Sequence, residues 1–94
     1  MELRVEYTGQ LRWAIGRSED RIELPEGATV SELLRHLAER CGEQVRFHLL
    51  NHSGHMQRSL LVAINGTGIG AGQAASIVLQ HNDHVVLLPP IGGG

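Results

Sequence analysis

Lysine is absent: all eight cationic side chains of this 94-residue chain are arginine. Cysteine occurs once, at Cys41, which excludes an internal disulfide and makes a reducing cytoplasm the simplest home. The longest apolar run, Leu60–Ile64, is five residues, against the ~20 that cross a bilayer. The start, Met1-Glu2-Leu3-Arg4-Val5, alternates charged and apolar residues, unlike a signal peptide. There is no basic run and the net charge is −2, which argues against nucleic acid and anionic membrane as partners. What is present is enough for a fold. With 41% apolar and 19% charged residues the chain is a globular sequence, not a disordered one. Its length suits one small domain with a modest core.

Charge is unevenly placed. Residues 48–94 hold only Arg58 and Asp83 among charged side chains, beside eight of the twelve glycines and five of the six histidines. The second half therefore has little polar surface with which to mask apolar groups.

Residues 2–8 alternate, with Leu3, Val5 and Tyr7 set for a core and Glu2, Arg4 and Glu6 for water, the pattern of a half-exposed strand. Gly9-Gln10 can turn the chain, Leu11–Ile15 fits either a short strand or a helical turn, and Arg21–Leu24 reads as the second arm of a hairpin. Val30, Leu33, Leu34, Leu37, Ala38 and Cys41 form one apolar stripe at helical spacing. Thr29-Val30-Ser31-Glu32 is a capping box at its start, and Gly42 supplies a left-handed stop at its end. Residues 43–59 read as a loop with room for a helical turn. Leu60–Ile64 is a strand closed by Asn65-Gly66, residues 66–72 are glycine-rich, and His84–Leu88 is a last strand ended by Pro89-Pro90. Strand, strand, helix, strand, strand implies an α+β domain: one mixed sheet with a main helix across one face.

The chain's end carries the most chemistry. Residues 1–88 would form the domain, and 89–94 a glycine-rich tail. Pro89-Pro90 stiffens the exit from the sheet. After Ile91, the side-chain-free Gly92, Gly93 and Gly94 suit threading through a narrow channel in another protein. A terminal carboxylate is the one carboxyl that a thin tail can deliver. The residues alone leave this reading level with a merely frayed terminus.

A β-grasp element order ending in Val85-Val86-Leu87-Leu88-Pro89-Pro90-Ile91-Gly92-Gly93-Gly94 resembles the ubiquitin-like sulfur carriers of the MoaD/ThiS family, above all the small subunit of molybdopterin synthase. Leu11-Arg12, Gly16, the stretch Glu23–Val30 and Val62-Ala63-Ile64-Asn65-Gly66 share the resemblance. Residues 43–59 and 66–76 depart from it. The resemblance implies that a MoeB-like adenylating enzyme, using its own ATP, activates the Gly94 carboxylate, and that sulfur then replaces AMP to give a thiocarboxylate. The chain would hold no cofactor and supply no acid or base. Its partners would be that enzyme and the large subunit of molybdopterin synthase. Carriage of sulfur for thiamin or another pathway, and attachment to target amines as a ubiquitin-like modifier, are the alternatives within the family. The missing lysines leave an activated carboxyl no side-chain amine of its own to attack, although a general preference for arginine on solvated surfaces accounts for them more simply.

Other motifs compete. Gly66-Thr67-Gly68-Ile69-Gly70-Ala71 formally fits G-x-G-x-x-A, so a phosphate- or nucleotide-binding module using residues 66–72 is a reading from another class, but too little chain follows for a βαβ unit. His48, His52 and His55 could meet a zinc ion only on a continuous helix, which Gly54 opposes, so no metal site is expected. Cys41 completes the helix stripe and sits at a helix C-terminus, where the dipole disfavours a thiolate.

Both faces of the last strands are apolar. Helix 30–41 can cover one set of side chains from Leu60–Ile64 and Val85–Leu88, and the other set has to meet water, loops or a partner. An apolar docking patch beside the tail is therefore expected from among Val85, Val86, Leu87, Leu88 and Ile91. Which set faces outward is not legible in the sequence.

Overall fold

A computed structural model describes residues 1–90 of the chain. The alternation at the start forms β1 (Glu2–Tyr7), followed by a short helix α1 (Gly9–Ile15) and β2 (Glu19–Glu23). Then come α2 (Val30–Cys41), α3 (Glu43–Leu49), β3 (Leu61–Ile64), β4 (Thr67–Ile69), one 3-10 turn at Ala71–Gln73, and β5 (His84–Leu88). The strands lie in the order β2-β1-β5-β3-β4. β1 and β5 run parallel at the centre, and the other pairs are antiparallel, so the sheet is mixed as expected.

Period-2 alternation sorts the side chains. Leu3, Val5 and Tyr7 of β1, Ile22 of β2, Val62 of β3, and Val85 and Leu87 of β5 all enter one core. α2 buries Val30, Leu33, Leu34, Leu37 and Ala38 in the same core, while Cys41 at its end is half-buried. The capping box is formed: the Glu32 amide donates to Thr29 Oγ1 at 3.3 Å and the Thr29 amide to Glu32 Oε1 at 3.4 Å. Gly42 ends α2 at φ +91 but with an extended ψ, a different stop from the expected left-handed turn and one that equally needs glycine.

Three elements correct the sequence reading. Gly9-Gln10 and Leu11–Ile15 are one helix, whose buried residue is Leu11. Residues 43–49 are a helix rather than loop, burying Val45 and Leu49 one turn apart. The glycine-rich stretch contributes β4, which returns along β3 through the two-residue turn Asn65-Gly66, both at positive φ. The expected hairpin of β1 and β2 exists as a pairing, with α1 inserted in its connection.

Asp83 is the one buried charged side chain among the described residues. It accepts from Asn65 Nδ2 at 2.8 Å and from the Gln80 amide at 2.8 Å, and the His84 amide donates to Asn65 Oδ1 at 2.9 Å. The carboxylate thus fastens the β3–β4 turn to the start of β5. Asp83→Ala takes the acceptor from the part-buried bonds of Asn65 Nδ2 and the Gln80 amide, both on exposed residues that water can reach, so thermal unfolding should show a loss of about 1 kcal/mol, a fall in Tm of roughly 6 °C.

Candidate functional site

The face of the sheet opposite the helices is divided. Its charged half lies on β1 and β2, where Arg4 meets Glu19 at 2.6 Å and Arg21 meets Glu2 at 3.0 Å. His84 Nε2 of β5, 3.0 Å from Glu6 Oε1, closes this half. Its apolar half lies on β5 and β3, where Val86 stands opposite Ala63 and Leu88 opposite Leu61. Leu61 is 57% exposed, and Val86 and Leu88 are half-buried.

This face decides which of the expected docking residues a partner can touch. Val85 and Leu87 are wholly buried and belong to the core, because alternation sends them to the helix side. Val86 and Leu88 remain on the open face, joined by Leu61 and Ala63 across the ladder. Ile91, Gly92, Gly93 and Gly94 lie outside the described residues.

The root of the tail is braced from β1. Thr8 donates twice to the Leu87 carbonyl oxygen, from its amide at 3.3 Å and from its hydroxyl at 3.1 Å. The hydroxyl is therefore turned toward β5 and does not cap α1. Gly9 follows at φ +52, and a Cβ there would lie 3.6 Å from Pro89 Cγ. That is an ordinary contact, so glycine serves this position for its backbone conformation. Trp13 of α1, Leu61, Leu88, Pro89 and Pro90 together form an apolar groove at the end of the sheet where β5 stops.

Beside the groove, Tyr7 and Arg17 hold Asp20. The Tyr7 hydroxyl donates to Oδ2 at 2.9 Å and Arg17 Nε to Oδ1 at 2.6 Å. The hydrogen bond from Arg17 keeps the Asp20 carboxyl below its ordinary range, and burial pushes the Tyr7 phenol up. A depressed carboxyl pKa stabilises the fold above the ordinary carboxylate range, and this contribution is lost as pH falls through the folded value. The brace is thus intact at neutral pH.

The competing motifs find no such support. The G-x-G-x-x-A residues run through the β3–β4 turn, β4 and the 3-10 turn, where Gln73 Oε1 accepts from the Gly70 amide at 2.9 Å. No strand-to-helix turn is made, so the helix N-terminus that would receive a phosphate is not there. His48 is on α3, with His52 and His55 in the turn beyond it, and no three His, Cys, Asp or Glu side chains converge among the described residues. None of the described helices is long and apolar enough to cross a membrane. Trp13, by contrast, escaped the sequence reading. Its signal is an aromatic residue on a short helix whose inward position is taken by Leu11.

A mixed five-stranded sheet with its central strands parallel and its helices on one face defines a ubiquitin-like β-grasp domain. The model of the ThiS family matches residues 5–94, and the chain belongs to that family of ubiquitin-like sulfur carriers. Among solved structures, SAMP1 from Haloferax volcanii is similar at a TM-score of 0.82 and 20% identity, with 100% of both chains covered. The putative molybdopterin converting factor, subunit 1, from Pyrococcus furiosus is similar at a TM-score of 0.76 and 26% identity, covering 97% of this chain and 99% of that one. Urm1 from Trypanosoma brucei is similar at a TM-score of 0.78 and 15% identity, over 99% of this chain and 95% of that one. No curated protein matches the sequence.

Proposed function

We propose that this protein carries sulfur on the Gly94 carboxyl and donates it in molybdopterin synthesis, as the small subunit of molybdopterin synthase. A cytoplasmic adenylating enzyme binds the ATP and this chain. A Gly94 carboxylate oxygen attacks the α-phosphate, pyrophosphate leaves, and the acyl-adenylate forms. A sulfur nucleophile then displaces AMP, leaving a thiocarboxylate. The chain supplies the carboxyl, its delivery and a docking face. The acid, base and nucleotide site belong to the partner, so no cofactor is held here.

The observation that carries this reading is the placement of the tail's root. A central strand ends in Pro89-Pro90 beside an open apolar face, with Ile91-Gly92-Gly93-Gly94 next in sequence. Membership of the ThiS family supports the sulfur chemistry, and the Pyrococcus furiosus protein supports the molybdopterin pathway. A second reading, attachment to other proteins, is favoured by the similarity to a Haloferax volcanii protein described as small archaeal modifier protein 1, at a TM-score of 0.80 and 19% identity.

Incubation with ATP, the source organism's adenylating enzyme and a sulfide donor, followed by intact mass spectrometry, tests the chemistry. The expected product is heavier by the exchange of one oxygen for one sulfur. An unchanged mass, with the enzyme active on another carrier, would overturn the reading. Adding the large synthase subunit and the pterin precursor should return the original mass. Covalent adducts to lysines of other proteins would favour the modifier.

A further inference from the structure

The four residues after Pro90 limit where a partner can sit, given the sulfur-carrier reading on which this inference rests. Extended, they span at most roughly 14 Å. An active site holding the Gly94 carboxylate therefore lies within that distance of Pro90, and the enzyme around it covers the surface at the tail's root. On that surface stands Trp13, 87% exposed and the most exposed large apolar side chain of the described residues. It forms one wall of the groove whose other side is Leu61, Leu88, Pro89 and Pro90. Nothing in the fold requires a tryptophan there, because Leu11, with Ala14 and Ile15 packed beside it, fills the buried side of α1.

The neighbouring charge is also unspent. Arg17 is paired with Asp20 and Arg4 with Glu19, whereas Arg12 makes no ion pair among the described residues. Tryptophan and arginine are the side chains whose burial most often dominates protein interfaces, by large contact area and directed hydrogen bonding respectively.

We propose that Trp13 is the anchor by which the adenylating enzyme grips the root of the tail, with Arg12, which lines the surface on the other side of Trp13, pairing an acidic side chain of that enzyme. Docking then extends past the open face of the sheet onto α1. It fixes Pro89 and Pro90, from which the last residues enter the active site.

ATP–pyrophosphate exchange by the source organism's adenylating enzyme tests this, with the full chain as the varied substrate. Trp13→Ala should raise KM by roughly 30-fold with little change in kcat. Arg12→Glu should raise KM and reduce its dependence on salt. Both variants should melt as the wild type does. Phe47→Ala removes an aromatic that is 72% exposed on α3 and outside the groove, and should leave KM unchanged. A wild-type KM for Trp13→Ala overturns the proposal, as does an equal rise for Phe47→Ala. If Trp13→Ala instead turns a sedimenting dimer into a monomer at unchanged KM, the groove holds a second copy and the proposal fails. A wild-type chain that supports no exchange overturns the sulfur-carrier reading, and this proposal with it.

Discussion

Leu88→Arg should leave the domain folded and unable to be activated, whereas Leu87→Arg, one residue earlier, should unfold it. Leu87 is wholly buried, and its neighbours across the ladder are Tyr7 and Val62, both buried as well. A guanidinium there has no carboxylate to meet, and an unpaired buried charge costs several kcal/mol. That is comparable with the whole 5–15 kcal/mol that holds a domain of ordinary stability together. At Leu88 the side chain points to the open face, where arginine can lay its stem on Leu61 and keep its charge in water. The cost to folding there should stay within about 0.5 kcal/mol. Docking is another matter, because closure of a partner over this face would strip water from the new charge. We expect activation to fall by at least roughly 100-fold, which corresponds to about 2.8 kcal/mol of lost binding. Circular dichroism melts separate the two variants, and exchange kinetics reads the loss. A folded Leu88→Arg activated at the wild-type rate would remove the open face from the docking surface.

This contrast shows what was legible in the sequence and what was not. The double-sided apolarity of Val85–Leu88 announced a covered face and a free one, but alternation alone fixes no direction. The direction follows from the parallel pairing of Val5 with Val85, which puts both on the helix side. α2 was legible because its 12 residues place five side chains in the core, enough turns to establish a period. α1 and α3 have seven residues each and bury one and two, which is too few to separate a helix from a loop. β4 was hidden because three residues with a central glycine carry almost no strand signal. Asp83 stood out only as a lone acidic charge in the second half; its burial depends on Asn65, eighteen positions earlier, and such a contact leaves no local trace. At the candidate site the C-terminal motif points to Gly92, Gly93 and Gly94, which lie outside the described residues. The Thr8 brace and Trp13 depend on a helix the sequence left ambiguous.

Removal of Gly94 should abolish activation without touching stability, and Gly93→Ala should approach the same result. Among the described residues the buried core is drawn from Leu3 to Leu87, and a glycine has no side chain to withdraw from it. The two melting curves should overlay that of the wild type. Activation is different, because in the proposed chemistry the reacting group is the Gly94 carboxyl, delivered by a segment that leaves the fold at Pro90. Thr8 holds the origin of that segment through the Leu87 carbonyl, and in the proposed complex the docking face would hold it against the enzyme. Loss of one residue withdraws the carboxylate by about 3.5 Å. Misplacement of a reacting group by even about 1 Å can cost on the order of 100-fold in rate, so exchange should fall below detection. Gly93→Ala keeps the length and adds a methyl group where the tail would pass between walls shaped for backbone, and we expect a loss of at least roughly 100-fold, mostly in kcat. The split from Leu88→Arg is the informative part. A docking variant raises KM and is rescued by more protein, whereas a tail variant binds normally and stays inactive at any concentration. If the chain ending at Gly93 were activated as fast as the full chain, the carboxyl of Gly94 would not be the group that carries sulfur.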